Sequence, residues 1–175
     1  MEEHVSESYI RRCHKALRAM DAPLEGWFCT DVDDYEDDSF TCELCGCKKV
    51  RFVHRMEHYD FPVPILVGCI CAGIMEGDII AAQERERLVR NRAHRRDKFV
   101  RDGWYIKPNG VYERRYHQRG YRIMKSIYND NQYGVWYKNK WCWRCRGKPM
   151  TSFEHAARAL FHIIDPPIEV RHVRT

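Results

Sequence analysis

No apolar stretch in these 175 residues reaches the roughly 18 needed for a membrane span, so a transmembrane chain is not expected. The N-terminus, Met1-Glu-Glu-His-Val-Ser-Glu, lacks the basic start and apolar core of a secretory leader. Without a leader, nine cysteines are expected to be reduced thiols in a cytoplasmic protein, available as metal ligands rather than disulfides. The acidic run Asp31, Asp33, Asp34, Glu36, Asp37, Asp38 has no glycine where a calcium loop needs its sharp turn, and is expected to be a solvated loop. No paired histidine and asparagine arrangement suggests a nuclease, and the chain is expected to be a non-enzyme.

What is present suits a globular α+β protein: 44% apolar residues, 13% aromatic, and a net charge of +5. Val5, Tyr9, Ile10, Cys13, Ala16, Leu17 and Met20 recur at helical spacing, which predicts an amphipathic N-terminal helix within residues 1–25.

The central motif is Cys42-Glu-Leu-Cys45-Gly46, answered by Val67-Gly68-Cys69-Ile-Cys71-Ala72. Two thiolates on a tight glycine turn can present both sulfurs to one tetrahedral ion, and zinc is the expected cofactor. Between them, Lys48 to Tyr59 and Ile65 to Val67 read as strands joined by a turn at Phe61-Pro62-Val63-Pro64, with a helix opening at Cys71. Residues 26–80 therefore form a zinc-stabilised module ordered as knuckle, hairpin and helix, as in a treble clef or zinc ribbon. Cys42, Cys45 and Cys71 are three expected ligands. His58 is the fourth, with Cys69 as the alternative; Cys13, Cys29 and Cys47 are left outside.

His54-Arg-Met-Glu57-His58 matches the H-x-x-E-H pattern of one class of zinc peptidase, which needs a helix. On a strand the two histidines stand about 13 Å apart, at about 3.3 Å per residue, and cannot share an ion.

Residues 81–103 predict a basic linker helix, with Arg87, Arg90, His94, Lys98 and Arg101 along one face. From 81 to 125, 14 basic residues face five acidic ones, a net +9 that exceeds the charge of the whole chain. Residues 104–168 predict a small antiparallel sheet with strands near 111–116, 121–128, 133–137 and 141–145, turning at Arg119-Gly120, Asn129 to Gln132 and Lys138 to Lys140. Tyr133, Val135, Tyr137, Trp141, Trp143 and Cys145 share one parity; Trp136, Cys142 and Arg144 share the other. Thr151-Ser-Phe-Glu154 reads as the capping box of a covering helix that Asp165-Pro166-Pro167 stops. Cys142 and Cys145 read as ordinary strand cysteines, and residues 169–175 as a loose tail.

The motifs C-E-L-C-G, V-x-x-M-E-H and V-G-C-x-C-A-G-x-M-x-G-D over residues 26–100 resemble small zinc-finger proteins of uncharacterised function from bacteria and their phages. Residues 121–164, strands followed by Thr151-Ser-Phe-Glu-His-Ala156-Ala157, are similar to AP2-type DNA-binding domains, whose sheet arginines and tryptophans contact DNA. With the basic segment, these likenesses imply a nucleic-acid-binding protein, DNA ahead of RNA. The expected contacts are Arg87, Arg90, His94, Lys98, Arg101, Arg114, Arg115, Arg122, Trp136, Arg144 and Arg146. The alternative is a phage or bacterial adaptor or inhibitor that binds another protein and uses the zinc module as its scaffold.

Overall fold

The computed structural model describes residues 5–170; Met1-Glu-Glu-His at one end and residues 171–175 of the expected tail lie outside the described residues. The chain divides into two compact units, residues 1–91 with 168–175 and residues 92–167. Helix α3 (Ile79–Arg101) runs through that division, so the expected linker of residues 81–103 is not a segment of its own.

The first unit opens on α1 (Glu7–Ala19), whose N-cap Ser6 accepts a hydrogen bond from the Tyr9 N–H. Its buried stripe contains Cys13 and Leu17. Three antiparallel strands follow in the order β1 (Phe28–Asp34), β2 (Phe52–His58), β3 (Phe61–Val67). Half of the expected acidic loop is therefore strand: Val32 is buried while Asp31 and Asp33 face out. Asp34 takes a two-pronged ion pair from Arg51 at 2.7 Å and 3.2 Å. Pro62 and Pro64, expected in the turn, lie inside β3. They are tolerated because β3 is an edge strand, where a missing N–H breaks no ladder. The turn itself is Tyr59-Asp60.

Residues 40–50 form the knuckle, closed by Val50 N–H to Phe40 O (2.9 Å) and Cys42 N–H to Cys47 O (2.9 Å). Gly46 sits in the left-handed region at φ 70°, which lets its N–H return to Cys42 O. After β3, α2 (Cys69–Glu76) starts at the N-cap Gly68, two residues earlier than expected, and ends on the left-handed Gly77. A Cβ on Gly73 would come within 2.5 Å of Ile79 Cα, so only glycine permits the close α2–α3 corner.

The second unit is a five-stranded antiparallel meander, β4 (Tyr105–Ile106), β5 (Tyr112–Tyr116), β6 (Arg119–Lys125), β7 (Tyr133–Tyr137) and β8 (Lys140–Cys142), in sequence order. A separate hairpin, β9 (Arg144–Cys145) with β10 (Lys148–Pro149), follows. Three tight turns carry paired positive φ values, His117 and Gln118 at 46° and 64°, Lys138 and Asn139 at 49° and 62°, Arg146 and Gly147 at 49° and 76°. These are the mirror-image turns whose twist matches a hairpin. The first places the β5–β6 turn two residues before the expected Arg119-Gly120. The second inverts parity across β7 and β8, pairing Val135 with Cys142 and Trp136 with Trp141. Trp141 therefore shares the face of Trp136, a correction to the grouping expected from counting alone.

The opposite face holds Tyr121, Ile123 and Val135 against α4 (Phe153–Ile164) and Phe99. Phe99 is the centre of this core, with Trp104, Tyr116 and Phe161 rings within 5.6 Å. The N-cap of α4 is Ser152, accepting from His155 N–H, one residue later than the expected Thr151 box. Glu154 instead pairs with Arg158. Cys142 and Cys145 pack against this core, as ordinary strand cysteines would.

Candidate metal centre and sheet face

The first unit brings Cys42, Cys45 and Cys71 together, their sulfurs within 4.8 Å of one another, and this cluster can hold a metal ion. The knuckle supplies two sulfurs and the first turn of α2 the third. Backbone locks the knuckle to the end of β3: Glu43 N–H donates to Leu66 O at 3.0 Å, and Gly68 N–H points at Cys42 Sγ at 3.5 Å.

The expected fourth ligand is elsewhere. His58 is half-buried, its Nε2 bonded to Glu25 O at 3.0 Å and its Nδ1 accepting from Asp60 N–H at 3.0 Å. Trp27 packs on its ring, and Gly26 leaves room for it where a Cβ would meet Nε2 at 2.9 Å. Cys69, the alternative, joins a different group. In a helix, residues two apart are rotated by about 200°, so the first-turn residues Cys69 and Cys71 point to opposite sides.

The fourth sulfur near the cluster is Cys13, expected to be a bystander. It is fully buried, and its Sγ lies 3.9 Å from Cys71 Sγ. One turn earlier on the same face of α1, Tyr9 OH lies 3.3 Å from Cys71 Sγ. No sequence spacing links Cys13 to Cys71, 58 residues later; the only clue was its place on the apolar stripe of the helix. Mutual contact shapes the chemistry of these groups. The Cys71 sulfur first, then burial, holds the Cys42 thiol well above its ordinary pKa, and its contact with Cys13 raises Cys71 while lowering Cys13. Burial, then bonds to Cys45 and Cys71, raises the Tyr9 hydroxyl and keeps it protonated.

His54, Cys69 and Glu86 form a second group whose donor atoms lie within 4.8 Å of one another, and it too can hold a metal. His54 is wholly buried, with Nε2 3.4 Å from Glu86 Oε2. Cys29 Sγ, also expected to be outside any site, lies 3.9 Å from His54 Nδ1. Burial and the neighbouring Glu86 carboxylate push the Cys69 thiol up to about 12. Since β2 is a strand, the H-x-x-E-H pattern brings no two histidines together: His54 faces Glu86, and His58 faces Glu25.

The expected nucleic-acid contacts divide by environment. Among those on α3, Arg87 is bonded to Glu84 in two places (2.7 Å and 2.8 Å), and Arg90 to Glu86 while its guanidinium lies over Phe52. His94, Lys98 and Arg101 are exposed on the same helix. Arg114 is a correction: it is 7% exposed, donates to Phe99 O at 2.6 Å, and lies over the Phe99 ring, so it belongs to the core. Arg144 and Arg146 are exposed in the β9–β10 hairpin, Arg146 in its turn at φ 49°.

Arg122 and Trp136 lie opposite each other on the sheet face away from α4. The registers extend this pair into a row across all five strands, Tyr105, Glu113, Arg122, Trp136, Trp141. Trp141 meets Trp136 edge-on at 5.4 Å and stacks on Trp143 at 5.9 Å, with planes 29° apart. Trp143 in turn covers Gly134, where a Cβ would meet its ring at 2.7 Å. Glu113 binds Lys107 at 2.8 Å, Arg122 at 3.0 Å and Tyr105 OH at 2.9 Å, and is held below its ordinary pKa, chiefly by Lys107. Beside the row, exposed Arg115 and Gly120 help line a hollow of about 210 Å³.

Comparison with protein-family models, with curated proteins and with solved structures finds no match to this chain. Among the described residues no helix is long and apolar enough to cross a membrane.

Proposed function

We propose that this is a zinc-stabilised nucleic-acid-binding protein whose binding surface is the open face of the five-stranded sheet. The observation that carries the proposal is the row Tyr105, Glu113, Arg122, Trp136, Trp141, with Trp143 stacked at its end. Partly exposed tryptophans offer flat surfaces to bases of any sequence, and exposed Arg115 beside them suits phosphate, whereas Arg122 is already engaged by Glu113. The basic helix contributes less than its charge suggests, because Arg87 and Arg90 already have carboxylate partners. DNA stands ahead of RNA on the likeness of the sheet and covering helix to AP2-type domains.

Zinc is the ion we assign to Cys42, Cys45 and Cys71, with Cys13 as the fourth thiolate. Zinc favours sulfur at about 2.3 Å, which sets tetrahedral sulfurs about 3.8 Å apart. Cys13 and Cys71 are at 3.9 Å, while Cys13 stands outside the 4.8 Å group of the other three sulfurs, so its side chain would move inward to complete the tetrahedron. Four protein ligands leave no position for a substrate, so the ion is structural, in a knuckle, hairpin and helix order of treble-clef type.

The test is fluorescence anisotropy with labelled single-stranded and duplex DNA and RNA at about 50 mM salt, where counterion release favours binding. Binding to at least one of them that weakens steeply with added salt is expected. Absence of binding to all four overturns the proposal.

A further inference from the structure

We propose that His54 of β2, Cys69 of α2 and Glu86 of α3 form a second metal site that takes a transition ion of the zinc class and leaves one coordination position to water. Three elements far apart in sequence deliver an imidazole nitrogen, a thiol sulfur and a carboxylate oxygen to within 4.8 Å of one another. Bonds of about 2.0 to 2.3 Å from a tetrahedral ion set its donors about 3.3 to 3.8 Å apart. The 3.4 Å between His54 Nε2 and Glu86 Oε2 is already in that range. Borderline nitrogen and soft sulfur donors exclude calcium and magnesium and suit zinc, cobalt or iron(II).

The surroundings orient each donor. His54 is 0% exposed and presents Nε2 to the group, while its other nitrogen lies 3.9 Å from Cys29 Sγ. The sulfur takes the place that a carboxylate, carbonyl or water usually fills beside a ligating imidazole, as a weaker partner. Glu86 turns Oε2 toward His54 because Arg90 binds Oε1, and Arg90 is itself placed over Phe52 at 5.3 Å. Cys69 is the first residue of α2 and brings its sulfur to His54 of β2 and Glu86 of α3. The site is distinct from the thiolate cluster because Cys69 and Cys71 leave α2 on opposite sides. Three protein donors, rather than four, match sites that keep a position for water.

The competing arrangement is a hydrogen-bonded trio, in which the Cys69 thiol and His54 N–H both donate to Glu86 and no ion binds. The full-length chain is loaded with Zn²⁺ or Co²⁺, desalted, and its metal measured by elemental analysis beside Cys69→Ser and Glu86→Gln. Each substitution is expected to remove one equivalent of metal per chain, leaving the equivalent held by the thiolate cluster. With Co²⁺, Cys69→Ser removes only part of the sulfur-to-cobalt absorption. If either folded variant keeps all the metal that the parent binds, the hydrogen-bonded trio is right and the proposal is wrong. Far-ultraviolet circular dichroism establishes which variant is folded, and Cys69→Ala serves if neither is. The same criterion applies to it, and metal retained by folded Cys69→Ala overturns the site.

Discussion

Cys13 on α1 and Cys71 on α2, 58 residues apart, bring their sulfurs to 3.9 Å, and Tyr9 caps the same sulfur from one turn earlier on α1. The N-terminal helix is thereby tied to α2 through the buried Cys71 sulfur. If the cluster around Cys71 holds zinc, removing Cys13 should cost more than removing Tyr9 OH. Cys13→Ser is expected to lower zinc affinity by more than about 100-fold, and Tyr9→Phe by about 10-fold, the scale of an outer-shell loss. Competition against a chromophoric chelator measures both, and an unchanged affinity in Cys13→Ser would remove α1 from the site.

Metal removal should act on one unit and spare the other. Every cysteine of the two candidate groups lies within residues 1–91, whereas residues 92–167 enclose an apolar core around Phe99, Ile123, Val135 and Phe161. Metal binding free energy is folding free energy in small sites of this kind. Excess chelator is therefore expected to accelerate amide hydrogen exchange across β2, β3 and α2 while β6, β7 and α4 keep their protection. Equal loss in both units would show that the second unit does not stand alone.

On the sheet face, Trp136→Ala should weaken nucleic-acid binding by roughly 1 to 3 kcal/mol, the worth of one stacked base. Arg115→Ala, at an exposed position beside the row, should lower the slope of log affinity against log salt by about 0.7 to 0.9, as one phosphate contact is lost. Arg87→Ala, whose guanidinium is held by Glu84, is expected to leave both quantities near their parental values. Anisotropy titrations at several salt concentrations read all three; a larger effect from Arg87 than from Trp136 would move the surface from the sheet to the helix.

Gly134→Ala tests the aromatic row without removing a ring. The added methyl would sit 2.7 Å from the Trp143 ring, so the indole must leave its place over the strand. Overpacking of this kind costs about 1 to 3 kcal/mol. A changed near-ultraviolet circular dichroism, together with weaker binding, is expected. An unaltered spectrum would mean that Trp143 does not rest on Gly134.

The elements themselves were largely legible in the chain, because each follows from local physics. The 3.6-residue apolar repeat marks α1 and α4, β-branched and aromatic runs mark β2 and β7, and the C-x-x-C-G turn marks the knuckle. That His54 and His58 cannot share an ion also followed from strand spacing alone. Composition established the basic bias of residues 81–125, but not that Glu84, Glu86 and Asp165 would engage Arg87, Arg90 and Arg95.

Tertiary structure decided who meets whom. Cys13 and His54 carry no spacing signal, since their partners arrive from α2 and α3 only after the sheet and helices pack. Cys69 and Cys71 separate into two groups because α2 begins at Cys69, a two-residue shift that turns a shared strand face into opposite sides of a helix. Trp136 and Trp141 share a face because two positive-φ residues, Lys138 and Asn139, set the register of β7 on β8. Local sequence determines which elements form; helix phase, turn geometry and packing determine which side chains those elements bring within reach.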